Sequence, residues 1–150
     1  DSGKVIYKKY FHIGVAVDTP HGLMVPKIRN VDKLGVKEIG QRLRTTSKLC
    51  RELKIDKKEF FGGSMTISSL GGIGGVTFFT PIINPPEVSI LGVGKSYDKV
   101  LKLKDQIVTR KILPISLSYD HRIIDGAEAA RFSVHLSQSL GKDFAFKLAV

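Results

Sequence analysis

LPISLSYDHRIIDGAEAARF, residues 113–132, decides how the rest of the chain is read. Ile115, Leu117 and Tyr119 alternate with Ser116 and Ser118, the period of a strand with one apolar face. The alternation stops at three consecutive ionisable residues, Asp120, His121 and Arg122. Two aliphatics follow, and Asp125 then stands directly ahead of GAEAARFSVHLSQSL. That run reads as a helix capped by Asp125. Its Ala-rich start predicts close packing on a sheet. The unit is strand, charged turn, helix, with a histidine set between an acid and a base and a second acid four residues on.

Working outward, residues 11–17 (FHIGVAV) and 23–29 (LMVPKIR) read as two strands, and DTPHG between them as a turn. From Val36 to Lys54 the pattern turns helical. Val36, Ile39, Leu43, Leu49 and Leu53 recur at helical spacings among strong helix formers. Asp56 reads as the N-cap of a short helical turn. Residues 64–68 (SMTIS) form a short strand, followed by a cluster at Gly71, Gly72, Gly74 and Gly75. Val88 to Val93 is another strand. Residues 97–103 and 106–119 suggest a hairpin turning near Lys104 and Asp105. The sum is α+β, a mostly β layer with two main helices. The tail FAFKLAV, residues 144–150, is too apolar to stand in water, and is expected to dock on its own domain or on a neighbouring subunit.

The chain has 150 residues, the size of one ordinary domain, which needs no disulfide or metal to hold it. Its 42% apolar content and 15 glycines fit a globular chain with many tight turns, not a disordered one. Cys50 is the only cysteine, which excludes an internal disulfide and suits a reducing compartment. No apolar stretch approaches the roughly 20 residues of a membrane span, and no signal peptide is visible. The net charge is +10, and between Lys27 and Lys58 eleven Lys or Arg face four Asp or Glu. Such a balance favours anionic partners.

Several motifs fail. GVGKS at residues 92–96 resembles the end of a phosphate-binding loop, but Ser89 occupies the first glycine position and YDKVLKLK follows as a strand. The glycine cluster does not spell G-x-G-x-x-G, and its plain reading is a loop needing positive φ or close backbone approach. His12, His21 and His135 read as structural or solvated, and with Cys50 they show no metal-ligand spacing. No Phe, Tyr or Trp interleaves the basic stretch between Lys27 and Lys58, which argues against a nucleic-acid partner.

SLSYDHRIIDGAEAARF strongly resembles the signature of the dihydrolipoamide acyltransferases, whose active-site motif is D-H-R-x-x-D-G. These enzymes form the cores of the 2-oxo acid dehydrogenase complexes. YFHIGVAVDTPHGLMVP, GGSMTISSLGGIGG, PIINPPEVSILGVGKS and LPISLSYDHRIIDG occur in the family's order at nearly its spacing, so the resemblance spans almost the whole chain. DTPHGLMVP, TISS and AEAARF are most similar to the acetyl-transferring branch of bacterial pyruvate dehydrogenase complexes. Succinyl-transferring relatives usually carry Thr where Ser68 stands. The implied fold is an α+β two-layer sandwich, a mixed β-sheet with helices on one side, chloramphenicol acetyltransferase-like. The resemblance further implies that residues 1–150 are the catalytic domain without its N-terminal portion, with lipoyl and subunit-binding domains further upstream. GGVTFFTP is one residue longer than the usual spacing between the glycines and PIINPP.

The family reaction is acyl transfer between two thiols, which needs a base for the coenzyme A thiol and a donor for the oxyanion. His121 is the implied base. An imidazole near pKa 6.5 takes a proton from a thiol near 8.5 at a cost of roughly 2.7 kcal/mol. One oxyanion donor is typically worth about 2.7–4 kcal/mol, so base plus donor suffice. Ser68 is the implied donor, with Ser69 the weaker choice. Without the family, either serine reads as strand-end capping. Asp125 is expected to cap the helix, to ion-pair with an arginine and to hold the histidine's orientation; some relatives carry Asn there. Asp120 and Arg122 are expected to brace the loop by salt bridges, and Asn84 to line the thiol channel.

Coenzyme A is the implied substrate and lipoate the implied cofactor, carried on an upstream domain, with no metal. The implied partners are copies of the chain itself, in homotrimers with the histidine of one chain facing the serine of the next. Trimers then build a cubic or dodecahedral cage. Pyruvate dehydrogenase and dihydrolipoamide dehydrogenase subunits bind through the upstream domains, with no nucleic acid and no membrane. The implied compartment is the bacterial cytoplasm, or the mitochondrial matrix in a eukaryote. The alternatives are a succinyl- or branched-chain acyltransferase and an inactive structural core subunit.

Overall fold

The structure, a computed structural model, describes residues 3–141 and 144. The expectation for the tail falls outside these residues, Phe144 excepted. Nine strands and two α-helices are found among the described residues. The strands are β1 (Ile13–Val15), β2 (Val17–Thr19), β3 (Gly22–Met24), β4 (Lys27–Ile28), β5 (Met65–Ser69), β6 (Ser89–Val93), β7 (Tyr97–Leu103), β8 (Gln106–Ile112) and β9 (Ile115–Tyr119). The helices are α1 (Val36–Arg51) and α2 (Gly126–Ser139).

One mixed sheet has the order β4-β1-β5-β6-β9, and β2-β3 and β7-β8 form separate hairpins. β5 runs parallel to both β1 and β6, whereas β4 and β9 pair antiparallel at the edges. The register aligns Lys27, Gly14, Thr66, Ile90 and Ser118 in one row across the sheet. Ser68, Gly92 and Ser116 lie two rows on, on the same face. The opposite face carries Val15, Ile67, Leu91 and Leu117. Both helices lie on that side: Leu43 of α1 faces Val15 and Val17 across a groove, and Gly126 opens α2 beside the Tyr119 hydroxyl. The fold is therefore the expected α+β sandwich with helices on one side.

The helix-free face is crossed by residues 77–81. Ser116 Oγ donates to the Phe79 carbonyl at 2.7 Å. A Cβ on Gly92 would approach Pro81 and Phe79 to 3.0 and 3.1 Å, so the strand must be bare there. Buried apolar residues are few among those described: Val17, Ile28, Cys50, Ile90, Leu91 and Ala129. The accessible area is 11071 Å², against about 7,500 Å² for a compact monomer of this size.

The sequence expectations for α1, for the Asp56 cap, for the strands near 64–68 and 88–93, and for the Asp125 cap all hold. Three details differ. The strand expected over 11–17 splits into β1 and β2, and that over 23–29 into β3 and β4. Pro26 has no N–H to continue a ladder, and its carbonyl accepts from Val15 N–H instead. The long second arm of the hairpin is also two strands. Pro114 ends β8, its carbonyl accepts from Gly94 N–H, and β9 leaves the hairpin for the main sheet. In α1, Val36 and Leu53 are exposed, and Leu53 lies past the helix end at φ 54°. The helix instead buries Cys50 completely, and that burial pushes the thiol pKa up.

Candidate active site

The strand–turn–helix unit begins where β9 ends. Asp120 N–H donates to the Val88 carbonyl at 2.8 Å, carrying the β6–β9 ladder one step past Tyr119. The Asp120 carbonyl then accepts from Ile123 and Ile124, both at 3.0 Å, which closes the turn around His121. The Asp120 carboxylate takes the Arg122 guanidinium at two points, with Nη2 to Oδ2 at 2.6 Å and Nε to Oδ1 at 2.9 Å. The Arg122 N–H adds a third bond at 3.0 Å. These hydrogen bonds, side chain first, hold the Asp120 pKa down at about 2. Asp120 and Arg122 thus pair with each other across the turn.

His121 is exposed, and its ring centroid lies 5.5 Å from that of Tyr119. Asp125 accepts from Glu128 N–H at 2.8 Å and caps α2. That bond is the main reason its pKa is lowered. The expected ion pair between Asp125 and an arginine is not among those of the described residues. Arg122 is engaged by Asp120, and Arg131 acts on Asp125 only as a nearby charge.

Ser68 lies near the other end of the sheet. Its row is Ser68–Gly92–Ser116, three rows from the row that ends in Tyr119. Rows are about 3.3 Å apart and strands about 4.8 Å, so the Ser68 and Tyr119 Cα atoms are about 14 Å apart. His121 lies beyond Tyr119. A base and an oxyanion donor must each come within about 3 Å of one reacting group. Ser68 and His121 therefore do not meet within one chain. The Ser68 hydroxyl is half-buried and makes none of the side-chain hydrogen bonds found among the described residues. Asn84 sits at the histidine end, its carbonyl accepting from Glu87 N–H at 3.1 Å.

GVGKS is no phosphate loop here, since Lys95 and Ser96 lie between two strands and open no helix. His12 is structural, its Nδ1 accepting from Asn30 N–H at 3.1 Å. Sequence reading missed Lys27, Thr66 and Glu87, which form a buried cluster. Lys27 Nζ lies 2.5 Å from Glu87 Oε1, and Thr66 Oγ1 donates to Glu87 Oε2. A lysine in the apolar run LMVPKIR was the available signal, because a buried ammonium requires an acid. Ser118 Oγ is also buried, without a partner among the described residues.

The mixed sheet, with helices on one face, carries at its end the D-H-R-x-x-D-G turn whose resemblance is to the acyltransferases. Residues 1–145 match the model of the 2-oxoacid dehydrogenases acyltransferase family (catalytic domain), and the chain belongs to that family. It is 54% identical over 140 residues to the dihydrolipoyllysine-residue acetyltransferase component of the Cupriavidus necator pyruvate dehydrogenase complex. That alignment covers 93% of this chain and 25% of the relative. Among solved structures, the chain is similar to the Azotobacter vinelandii dihydrolipoamide acetyltransferase in which a serine, a histidine and an asparagine were investigated for their catalytic role. The TM-score is 0.89 at 46% identity, covering 99% of this chain and 60% of that one. A structure of the cubic core of the pyruvate dehydrogenase multienzyme complex matches with the same TM-score at 45% identity and the same coverage.

Proposed function

We propose that this chain belongs to the catalytic core of a pyruvate dehydrogenase complex and transfers an acetyl group between dihydrolipoamide and coenzyme A. The observation that carries the reading is the split site. His121 and Ser68 lie at opposite ends of one sheet, as they must if each completes a site with a residue of another copy. In the Azotobacter protein the investigated histidine and asparagine are four positions apart, as are His121 and Asp125. Its serine stands 52 positions before the histidine, against 53 for Ser68 and 52 for Ser69, and the longer GGVTFFTP spacing favours Ser68.

In this reading His121 takes the proton of the coenzyme A thiol. The sulfur attacks the acetyl carbonyl carbon, and Ser68 of a neighbouring copy donates to the oxyanion. Collapse breaks the bond to the lipoyl sulfur, which regains a proton from the imidazolium. Asp125 anchors α2 and so the turn. Asn84 lines the thiol path. Lipoate is carried on a domain outside residues 1–150, and the core is a cage of trimers. The exposed apolar residues of the isolated chain, among them Phe61, Phe78 and Ile82, and its excess area are what such an assembly covers. The cations Arg44 and Arg51, beside the α1 groove and in no ion pair among the described residues, suit a polyanionic substrate.

The test is coenzyme A-dependent acetyl transfer to dihydrolipoamide by the complete polypeptide. Acetyl- and succinyl-coenzyme A are compared in the reverse direction. The expected result is a preference for acetyl and a fall of about two orders of magnitude or more in both His121→Ala and Ser68→Ala. Full activity in both variants would reject the assignment, and a preference for succinyl would move the chain to the other branch.

A further inference from the structure

We propose that the buried Lys27–Glu87 pair is a positioning device for the His121 turn, an inference that rests on the acyltransferase reading. Both side chains are only 2% exposed. A buried pair of this kind is no natural source of stability, because an apolar pair of similar volume is often as stable or more so. What the pair does provide is a fixed geometry. Lys27 on β4 reaches across Gly14 to meet Glu87, and a Cβ at Gly14 would come within 2.7 Å of Lys27 Nζ and 2.6 Å of Thr66 Oγ1. A Cβ at Gly63 would fall 1.9 Å from Glu87 Oε1. Two positions are thus bare of side chain where this carboxylate and ammonium sit.

Both Glu87 oxygens are occupied, one by Lys27 and one by Thr66. The backbone beside that carboxylate bears on the site. Glu87 N–H donates to the Asn84 carbonyl, and the Val88 carbonyl receives Asp120 N–H. The anchored carboxylate and the carbonyl whose bond fixes the start of the histidine turn belong to adjacent residues, Glu87 and Val88. On the other side, Thr66 is two residues from Ser68 on the same strand and face. The cluster therefore fixes the segment that carries Asn84 and supports His121, with β5 as its base. Displacing a catalytic group by about 1 Å can cost a hundredfold in rate.

The experiment uses the assembled complete polypeptide and three variants, Lys27→Met, Glu87→Gln and the two combined. Each single change leaves one unpaired buried group and lowers stability. The double variant removes both charges and is expected to fold and assemble. Two measurements are made below its melting temperature: kcat and KM for coenzyme A, and deuterium uptake of the peptide spanning 116–124. The expected result for the double variant is a kcat about ten- to a hundredfold lower with KM unchanged. The Asp120 amide should also exchange faster, while the β7–β8 hairpin exchanges as in the wild type. Wild-type kcat in the double variant overturns the proposal. So does a lower kcat with unchanged Asp120 exchange, or faster exchange in the hairpin as well, which would indicate general loosening. If the wild type itself transfers no acetyl group, the acyltransferase reading fails, and the exchange data still decide whether the pair holds the turn.

Discussion

The two ends of the five-stranded sheet are built differently. At the histidine end several bonds converge on one turn: Asp120 to Val88 across the sheet, Asp120 to Arg122, and Asp125 to the first turn of α2. At the serine end the strand runs out into the glycines at 71–75, and the Ser68 hydroxyl has no partner among the described residues. The histidine end is organised by its own chain. The serine end is a hydroxyl on a strand, and under the proposed function it awaits what another copy brings. A single-chain active site needs both kinds of order in one place, and a shared one can divide them.

The largest expected effect breaks this comparison directly. His121→Ala and Ser68→Ala each remove one half-site. Mixed assemblies formed from the two inactive chains regain activity at roughly a quarter of their sites, if subunits pair at random and each site draws on two copies. Activity assayed after co-refolding checks this, and no recovery would mean that both residues serve the same site within one chain.

The next effect tests the packing of the serine end. In Gly94→Ala a Cβ would lie 1.9 Å from the Thr77 carbonyl, so the 76–77 segment must move. Such overpacking typically costs about 1–3 kcal/mol, readable by chemical denaturation. The histidine end is probed by its cap. Asp125→Ala is expected to lower the melting temperature by about 2–4 °C. Asp125→Asn keeps the cap, and should retain both stability and most of the activity.

The smallest effect is acid sensitivity of the brace. Asp120 has a pKa of about 2, below the ordinary value near 3.9. A lowered carboxylate contributes its stability fully above the unfolded value and loses it as pH falls through the folded one. The brace should therefore be constant from neutral pH down to about pH 5 and weaken between about pH 4 and 2. Chemical shifts of the Asp120 carboxyl and the Arg122 guanidinium follow this. Weakening already near pH 6 would place another group in control.

What was legible in the sequence was local. Asp125 announces a helix because a cap acts over three residues, and the β9 alternation ends where its charges begin. The charged turn and its brace lie within three consecutive residues and could be read directly. What was not legible depends on distance in sequence. Lys27 and Glu87 are 60 positions apart, and nothing near either names the other. Pro26 and Pro114 each divided a segment that read as one strand, since strand propensity does not register one missing N–H. Cys50 stands seven residues past Leu43 on the same face of α1, but periodicity alone does not show that this position is the one buried completely. The separation of Ser68 from His121 follows from a strand order that no single segment encodes.

The buried cluster also imposes an order on sequence change. Losing Lys27 or Glu87 alone strands a charge in the interior, a step that commonly costs about 3–5 kcal/mol. Losing both together does not. Gly63 can acquire a side chain only once Glu87 and Lys27 have changed, and Gly14 only once Thr66 has changed with Lys27, because those side chains occupy the space beside them. The five positions form a lock, so substitutions there are expected to be strongly epistatic, harmful singly and tolerable only in combination.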